Sequence, residues 1–325
     1  MRVVSLFAGA GGLDLGFSRA GFNVDWACEY DKSIWDTYRL NHPNTYLETR
    51  SVTDITIEDL PDEIDGIIGG PPCQSWSVAG AQRGINDERG QLFNDYLRLL
   101  REAQPRFFVV ENVPGMLSAK NILIFMQFIA SFEECGYRVN FKILNALDFG
   151  SAQDRKRVII VGYRNDLNKE FNFDELEFLE HRTLGDIISD LPAPMPALEK
   201  NYTNGDTGEF LNNEYFIGSF SSIYMSRNRK RDWNQPSFTI QASGRQAPLH
   251  PDSADMILIE KDKRVFSNEN YRRLSVRECA RIQGFPDEFR FVYSKLDNAY
   301  KMIGNAVPVE LSEGIANKIR QDLLN

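Results

Sequence analysis

From residue 2 to residue 163, short apolar runs alternate with stretches of helical apolar spacing, and several of the runs end on glycine or a carboxylate. That alternation predicts an α/β fold, a doubly wound and mostly parallel sheet. Arg2–Phe7, Val24–Glu29, Gly66–Gly69, Phe107–Glu111, Val139–Asn145 and Arg157–Tyr163 are the predicted strands, with Leu13–Ala20 and Lys32–Asn41 as predicted helices. Such sheets bind ligands beyond the carboxyl ends of their strands. Gly9-Ala10-Gly11-Gly12, Glu29, Pro71-Pro72-Cys73 and Glu111-Asn112 all fall there. After about Asn165 the alternation fades. Pro192, Pro194 and Pro196 exclude a helix interior, and the stretch to roughly Phe266 reads as a second, smaller, irregular β-containing domain. Leu311, Ile315, Ile319 and Leu323 predict a closing helix.

With 325 residues, 42% hydrophobic and 26% charged, the chain has ample material for a large core and is not a disordered one. No apolar run approaches the ~18 residues of a membrane span, and the N-terminus lacks the pattern of a signal peptide. Cys28, Cys73, Cys135 and Cys279 lie far apart with no nearby histidine cluster. That spacing argues against a metal site or a disulfide framework and suits the cytoplasm. A net charge of −9 repels a phosphate backbone on average. Basic residues nevertheless cluster at Arg227–Arg231 and at Arg272, Arg273, Arg277 and Arg281, and an acidic protein with one basic face can still hold DNA.

Glycines between the first strand and the first helix let backbone N–H groups approach a ligand. Asp14 occupies the third glycine position of a dinucleotide fingerprint, so the turn alone is also consistent with a tight connection. Glu29, some twenty residues on, suits a carboxylate binding both ribose hydroxyls. Together they indicate a nucleoside cofactor without separating NAD from S-adenosylmethionine. Pro71-Pro72 forces an abrupt turn that presents Cys73 in the crevice as a nucleophile, whereas the other three cysteines read as small core residues. Glu111, directly after Phe107-Phe108-Val109-Val110, is partly desolvated and suited to proton transfer; a helix-capping acid is the plainer alternative. Arg155 and Arg157 share a strand face in Gln153–Arg157, which an ordinary solvated charge run would also produce.

In their order, Phe7–Gly12, Gly70–Ser77, Arg89–Phe93, Glu111–Val113, Gln153–Arg157, Arg272–Arg281 with Gln283–Pro286, and Gly304–Pro308 resemble the DNA (cytosine-5)-methyltransferases of bacterial restriction–modification systems over nearly the whole chain. The resemblance implies that Cys73 adds to C6 of a cytosine flipped out of duplex DNA. Glu111 would hold its N3 and N4 edge, Arg157 its O2, and Arg155 would support the site. S-adenosylmethionine, the implied methyl donor, would be lined by Phe7, Ala8, Gly9, Gly11, Leu13, Glu29, Tyr30, Ser51, Val52, Pro71, Leu92, Asn305 and Ala306. Ser75 to about Phe93 would close over the DNA, with Gly80, Gly84 and Gly90 permitting motion. One position departs from the family. Its Gly-Asp pair after the third strand is replaced by Arg50-Ser51, unless the acid has slipped to Asp54.

Residues 1–178 with 293–325 would form the catalytic unit and 179–292 the target-recognition domain. The stretch Tyr215–Gln246 resembles enzymes that modify the inner cytosine of GGCC. Arg227, Arg229 and Arg245 are the expected guanine readers, with Ser77 and Arg89 as further DNA contacts. Lys230 and Arg231 are expected at phosphates or in solvent. A monomer is expected, with a cognate endonuclease as functional partner. An RNA methyltransferase and an inactive DNA-binding module are the alternatives; retention of Cys73 and Glu111 opposes the second.

Overall fold

The computed structural model describes residues 1–72, 88–205 and 210–324. Cys73 and Ser77 therefore lie outside the described residues, as does the expected closing segment up to residue 87. Its last part, from Glu88, is already helix, and of Arg89 only the backbone is described.

Seven strands form the main sheet: β1 (Arg2–Leu6), β2 (Asn23–Cys28), β3 (Tyr46–Glu48), β4 (Gly66–Gly69), β5 (Phe107–Asn112), β6 (Tyr137–Asn145) and β8 (Lys156–Arg164). They lie in the order β3-β2-β1-β4-β5-β8-β6. The first five pair in parallel, and β8 runs antiparallel between β5 and β6. The sheet is mostly parallel, as its apolar runs predict. A strand buried on both faces carries continuous hydrophobic residues, since neither set of alternating side chains meets water. β5 shows this directly. Phe107 and Val109 join Val3, Ile68, Ile159 and Val161 in one core, while Phe108 and Val110 join Val4, Ile67, Val158 and Ile160 in the other.

The first core is covered by α1 (Gly12–Arg19) and the C-terminal helix Val309–Leu324, and the second by helices Glu88–Ala103 and Ile122–Glu134. These last two helices stand between strands without having been singled out from their spacing, and neither was β3, three residues long. In chain order the helices are α1, α2 (Trp35–Asn41), α3 (Glu88–Ala103), α4 (Ile122–Glu134), α5 (Leu184–Ile188), α6 (Ser222–Met225), α7 (Val276–Ile282), α8 (Leu296–Asn305) and α9 (Val309–Leu324). None among the described residues is long and apolar enough to cross a membrane.

A third core joins the two parts of the molecule. Ala10 and Ile34 of the sheet domain pack with Leu184, Ile188 and Ile240, and with apolar residues of α7 and α8. The middle region itself is irregular. Beyond short helices it holds β9 (Met195–Pro196) paired with β10 (Glu214–Tyr215), and a hairpin of β12 (Met256–Glu260) and β13 (Lys263–Phe266). β11 (Ser237–Phe238) instead pairs in parallel with β7 (Gln153–Asp154) of the sheet domain.

Half of the expected basic face is scaffold. Arg272 makes a fork to both carboxylate oxygens of Glu278, each at 2.8 Å. Arg273 is buried over the Phe220 ring at 3.9 Å and donates to the carbonyls of Gly218 and Ser219. Arg277 is buried, donating to the carbonyls of Leu211, Pro286 and Phe289. Arg281 is neutralised by Asp190 and Asp287. All four are tied into the scaffold, so of the expected basic face only residues 227–231 are left, and there Lys230 is itself paired with Asp255.

Candidate active site

β1 delivers the chain into the glycine turn, and the turn is held from beneath by its neighbour strand. Phe7, Gly9 and Gly11 all take positive φ, at 57°, 59° and 85°. The Gly9 N–H donates to Glu29 Oε2 at 2.9 Å, and the Asp31 N–H donates to Oε1 at 2.7 Å. Glu29 thus pins the turn from the end of β2, and burial pushes its carboxyl above the ordinary range. Each oxygen retains a lone pair for a further donor. Gly11 does something different. A Cβ there would stand 2.1 Å from His42 Nε2, so this glycine admits the histidine, and it does not line the cavity described below. Asp14 is fully buried, accepting from the Ser5 hydroxyl and the Tyr38 hydroxyl, both at 2.6 Å.

A cavity of about 700 Å³ opens over these strand ends. Phe7, Ala8, Gly9, Leu13, Glu29 and Tyr30 form one wall; Ser51, Val52, Pro71 and Leu92 form a second; Asn305 and Ala306 close it from α8 and the turn after it. Every residue expected at the cofactor except Gly11 is therefore brought to one place. Gly12 and Leu13 also line the cavity, in the first turn of α1, where helix N–H groups have no intrahelical partner. Volume, the half-buried Glu29 carboxylate on the cavity wall and apolar walls at Val52 and Leu92 fit a nucleoside-bearing ligand. Where the family carries an acid, Ser51 and Val52 line the cavity, and Asp54 is exposed and does not. Arg50 is held by Glu48 at 2.7 Å and Asp59 at 2.6 Å.

Glu111 sits near the end of β5 on the far side of the same cavity, with Arg157 Nε 2.7 Å from its Oε1. The pairing follows from strand register, since Glu111 faces Ile159 across the antiparallel β5–β8 pair and Arg157 lies two residues away. Both side chains are nearly buried, and such a pair is held in one geometry. Asn112 Nδ2 donates to the Pro71 carbonyl at 2.9 Å, tying β5 to the Pro-Pro turn that precedes Cys73. Gly70 leaves room for the carboxylate: a Cβ there would lie 3.1 Å from Glu111 Oε2. A carboxylate and a guanidinium, side by side at a cavity rim, can grip the donor–acceptor edge of a planar heterocycle.

Arg155 lines the cavity but spends its donors elsewhere. Its guanidinium is buried and donates to the carbonyls of Ile240, Gly304 and Ala306 at 3.0, 2.7 and 3.0 Å. Burial first, and Arg157 second, lower its pKa. Arg227 and Arg245 are exposed in the middle region. Arg229 caps α6, donating to the Tyr224 and Ile223 carbonyls at 3.2 Å with its guanidinium over the Tyr224 ring. Lys230 pairs with Asp255 at 2.6 Å, and Arg231 lies over the Phe238 ring at 4.1 Å.

Sequence reasoning passed over Asp31 and Lys301, which pair across the cavity rim. They are 270 residues apart and neither stands in a local pattern. The support beneath the glycine turn, Ser5, Tyr38 and His42, was also passed over; Asp14, out of place in a glycine fingerprint, was the available signal.

The C-5 cytosine-specific DNA methylase family profile matches residues 1–321. The chain is 54% identical to the Type II methyltransferase M.FnuDI of Fusobacterium nucleatum, over 99% of this chain and 95% of that protein. It is 51% identical to M.NgoPII of Neisseria gonorrhoeae, over 99% and 96% of the two chains. A crystal structure of a prophage-encoded DNA modification methyltransferase of E. coli superposes with a TM-score of 0.76 at 27% identity, covering both chains entirely. A DNMT2 mutant of Spodoptera frugiperda, at 18% identity and a TM-score of 0.70, shares the fold over 100% of this chain and 99% of that one. With the strand-end cavity and the Glu111–Arg157 pair at its rim, the match runs the length of the molecule: the chain belongs to the C-5 cytosine-specific DNA methylases.

Proposed function

We propose that the enzyme methylates C5 of a flipped-out cytosine in duplex DNA, the inner cytosine of GGCC, with S-adenosylmethionine as the donor. The observation that carries this reading is the Glu111–Arg157 pair at the mouth of the 700 Å³ cavity, joined through Asn112 to the Pro-Pro turn before Cys73. When bound, S-adenosylmethionine supplies an electrophilic methyl group; Glu29, Ser51, Val52 and Leu92 would hold its nucleoside part.

A stacked cytosine cannot be reached at C6, so the base must leave the duplex. The Cys73 thiolate then adds to C6, and the electron pair moves toward C5. Glu111 holds the N3–N4 edge and stabilises a proton at N3 as the ring loses aromaticity, while Arg157 donates to O2. After C5 is alkylated its proton passes to water, and the electron pair left behind re-forms the C5=C6 bond, breaks the C6–S bond and restores the Cys73 thiolate. Exposed Arg227 and Arg245 suit bidentate reading of guanine in the major groove. Arg229, committed to the end of α6, suits the scaffold that presents Arg227. The Type II names of the relatives support a cognate endonuclease as functional partner. Residues 1–178 with 293–325 would form the catalytic unit. One flipped base needs one active site, which favours a monomer.

Labelled S-adenosylmethionine with duplexes bearing GGCC, GCGC or CCGG tests the reading. The expected result is label at C5 of the inner cytosine of GGCC alone. Label on another duplex overturns the specificity, and label on RNA only overturns the substrate.

A further inference from the structure

The middle region is not hung on the catalytic domain by a loose connection. Residues 237–240 are bonded to the segment Gln153–Arg155, which leads into the strand that carries Arg157. β11 pairs with β7 through Ser237 and Phe238 opposite Gln153 and Asp154. The Thr239 hydroxyl donates to the Asp154 carbonyl at 2.6 Å, and the Ile240 N–H donates to Gln153 Oε1 at 3.3 Å. The Arg155 guanidinium has no carboxylate partner among the described residues and donates to three carbonyls from two remote stretches: Ile240 on one side, Gly304 and Ala306 on the other. Those stretches also touch backbone to backbone, since a Cβ on Gly304 would stand 2.4 Å from the Ala242 nitrogen. Two residues further, Gly244 packs under Phe216 and Tyr300, and Arg245 projects from that turn.

We infer that Arg155 is a positioning residue that fixes the register between Arg245 and the Glu111–Arg157 pocket, and so determines which cytosine of a bound sequence reaches the pocket. The inference rests on the DNA-methylation reading above. A bonded path leads from Arg245 through residues 240–244 to Arg155, two residues on to Arg157 in β8, and across the β8–β5 pair to Glu111. Only a planar fork can satisfy carbonyls on both sides at once; a lysine is a point charge and reaches one side. Without the fork, buried carbonyls lose their donors and the seam between the reader and the pocket loosens.

The test is Arg155→Lys in the full-length enzyme, with bisulfite mapping of every cytosine in GGCC and near-cognate duplexes. The expected result is a fall in kcat of at least ~10-fold with KM for DNA within ~3-fold, as misplacement rather than lost binding predicts. The share of label away from the inner cytosine should rise by ~10-fold, within what one bidentate guanine contact discriminates. A lower kcat with the wild-type label distribution makes Arg155 a structural prop and overturns the inference. Thr239→Val, which removes one bond of the same seam from a partly exposed position, covers the case in which Arg155→Lys does not fold. It should shift the label in the same direction, and a wild-type distribution overturns the inference. A wild-type enzyme that labels no DNA overturns the functional reading itself, whereas a normal wild type beside unshifted variants overturns the role of Arg155 alone.

Discussion

Glu111 and Arg157 meet at 2.7 Å because two antiparallel strands bring them into register. Glu111→Gln keeps the shape and removes the charge. We expect methyl transfer to fall by ~10²–10⁴-fold, the usual worth of a positioned proton-transfer group, while labelled cofactor is still retained on a filter; retained activity would remove Glu111 from the reaction. His42 supports the glycine turn from below, stacked on Tyr38 with ring centroids 4.3 Å apart. Burial lowers its pKa, partly offset by Asp14. The unfolded chain therefore takes up this proton first, as pH falls through ~6.5. Stability from this group is fully present above that pH and is lost as pH drops toward the folded value. His42→Gln should melt with a flatter pH dependence than wild type between about pH 7.5 and 5.5; parallel curves would remove His42 from the linkage.

At the scale of elements, α1 and α9 meet at a close joint. A Cβ on Gly16 would lie 2.4 Å from Ser312 Cβ and 2.7 Å from the Glu313 nitrogen, and the Ser312 hydroxyl donates to the Leu13 carbonyl at 2.6 Å. Alanine is favoured over glycine inside a helix by ~1 kcal/mol, but overpacking here costs ~1–3 kcal/mol or more. Gly16→Ala should therefore lower the melting temperature, and a stabilised protein would show that the two helices can part. The strands were legible because burial on both faces writes an unbroken apolar run such as Phe107-Phe108-Val109-Val110. β3 was not, since its three residues begin with an exposed tyrosine. Arginines 272–281 misled for a related reason: a string of charges looks the same whether it meets solvent or buried carbonyls.

At the scale of the molecule, the cavity is incomplete without the last thirty residues. Leu311, Ile315 and Ile319 of α9 belong to the same core as Phe17 and Phe107, and Lys301, Asn305 and Ala306 close the cavity. A chain ending at residue 292 should lose both cooperative melting and retention of labelled S-adenosylmethionine. A sharp melt from that fragment would show that residues 1–292 hold a core of their own. Residues 179–292 share their core with α8 and with Ala10 and Ile34, so the recognition region and the catalytic unit are expected to melt together.

The sequence by itself determined the alternation that makes the sheet, the glycine turn with Glu29 beyond it, and the order of motifs that identifies the family, because each is written in neighbouring residues. Only the tertiary structure decided which arginines face the cavity beside a carboxylate and which are spent on backbone carbonyls. Arg157 meets a carboxylate across a strand pair, Arg155 meets carbonyls 85 and about 150 residues away, and Arg277 is spent on the chain around it. A guanidinium is the same donor fork in every case, and its role is set by what the fold brings within hydrogen-bond distance.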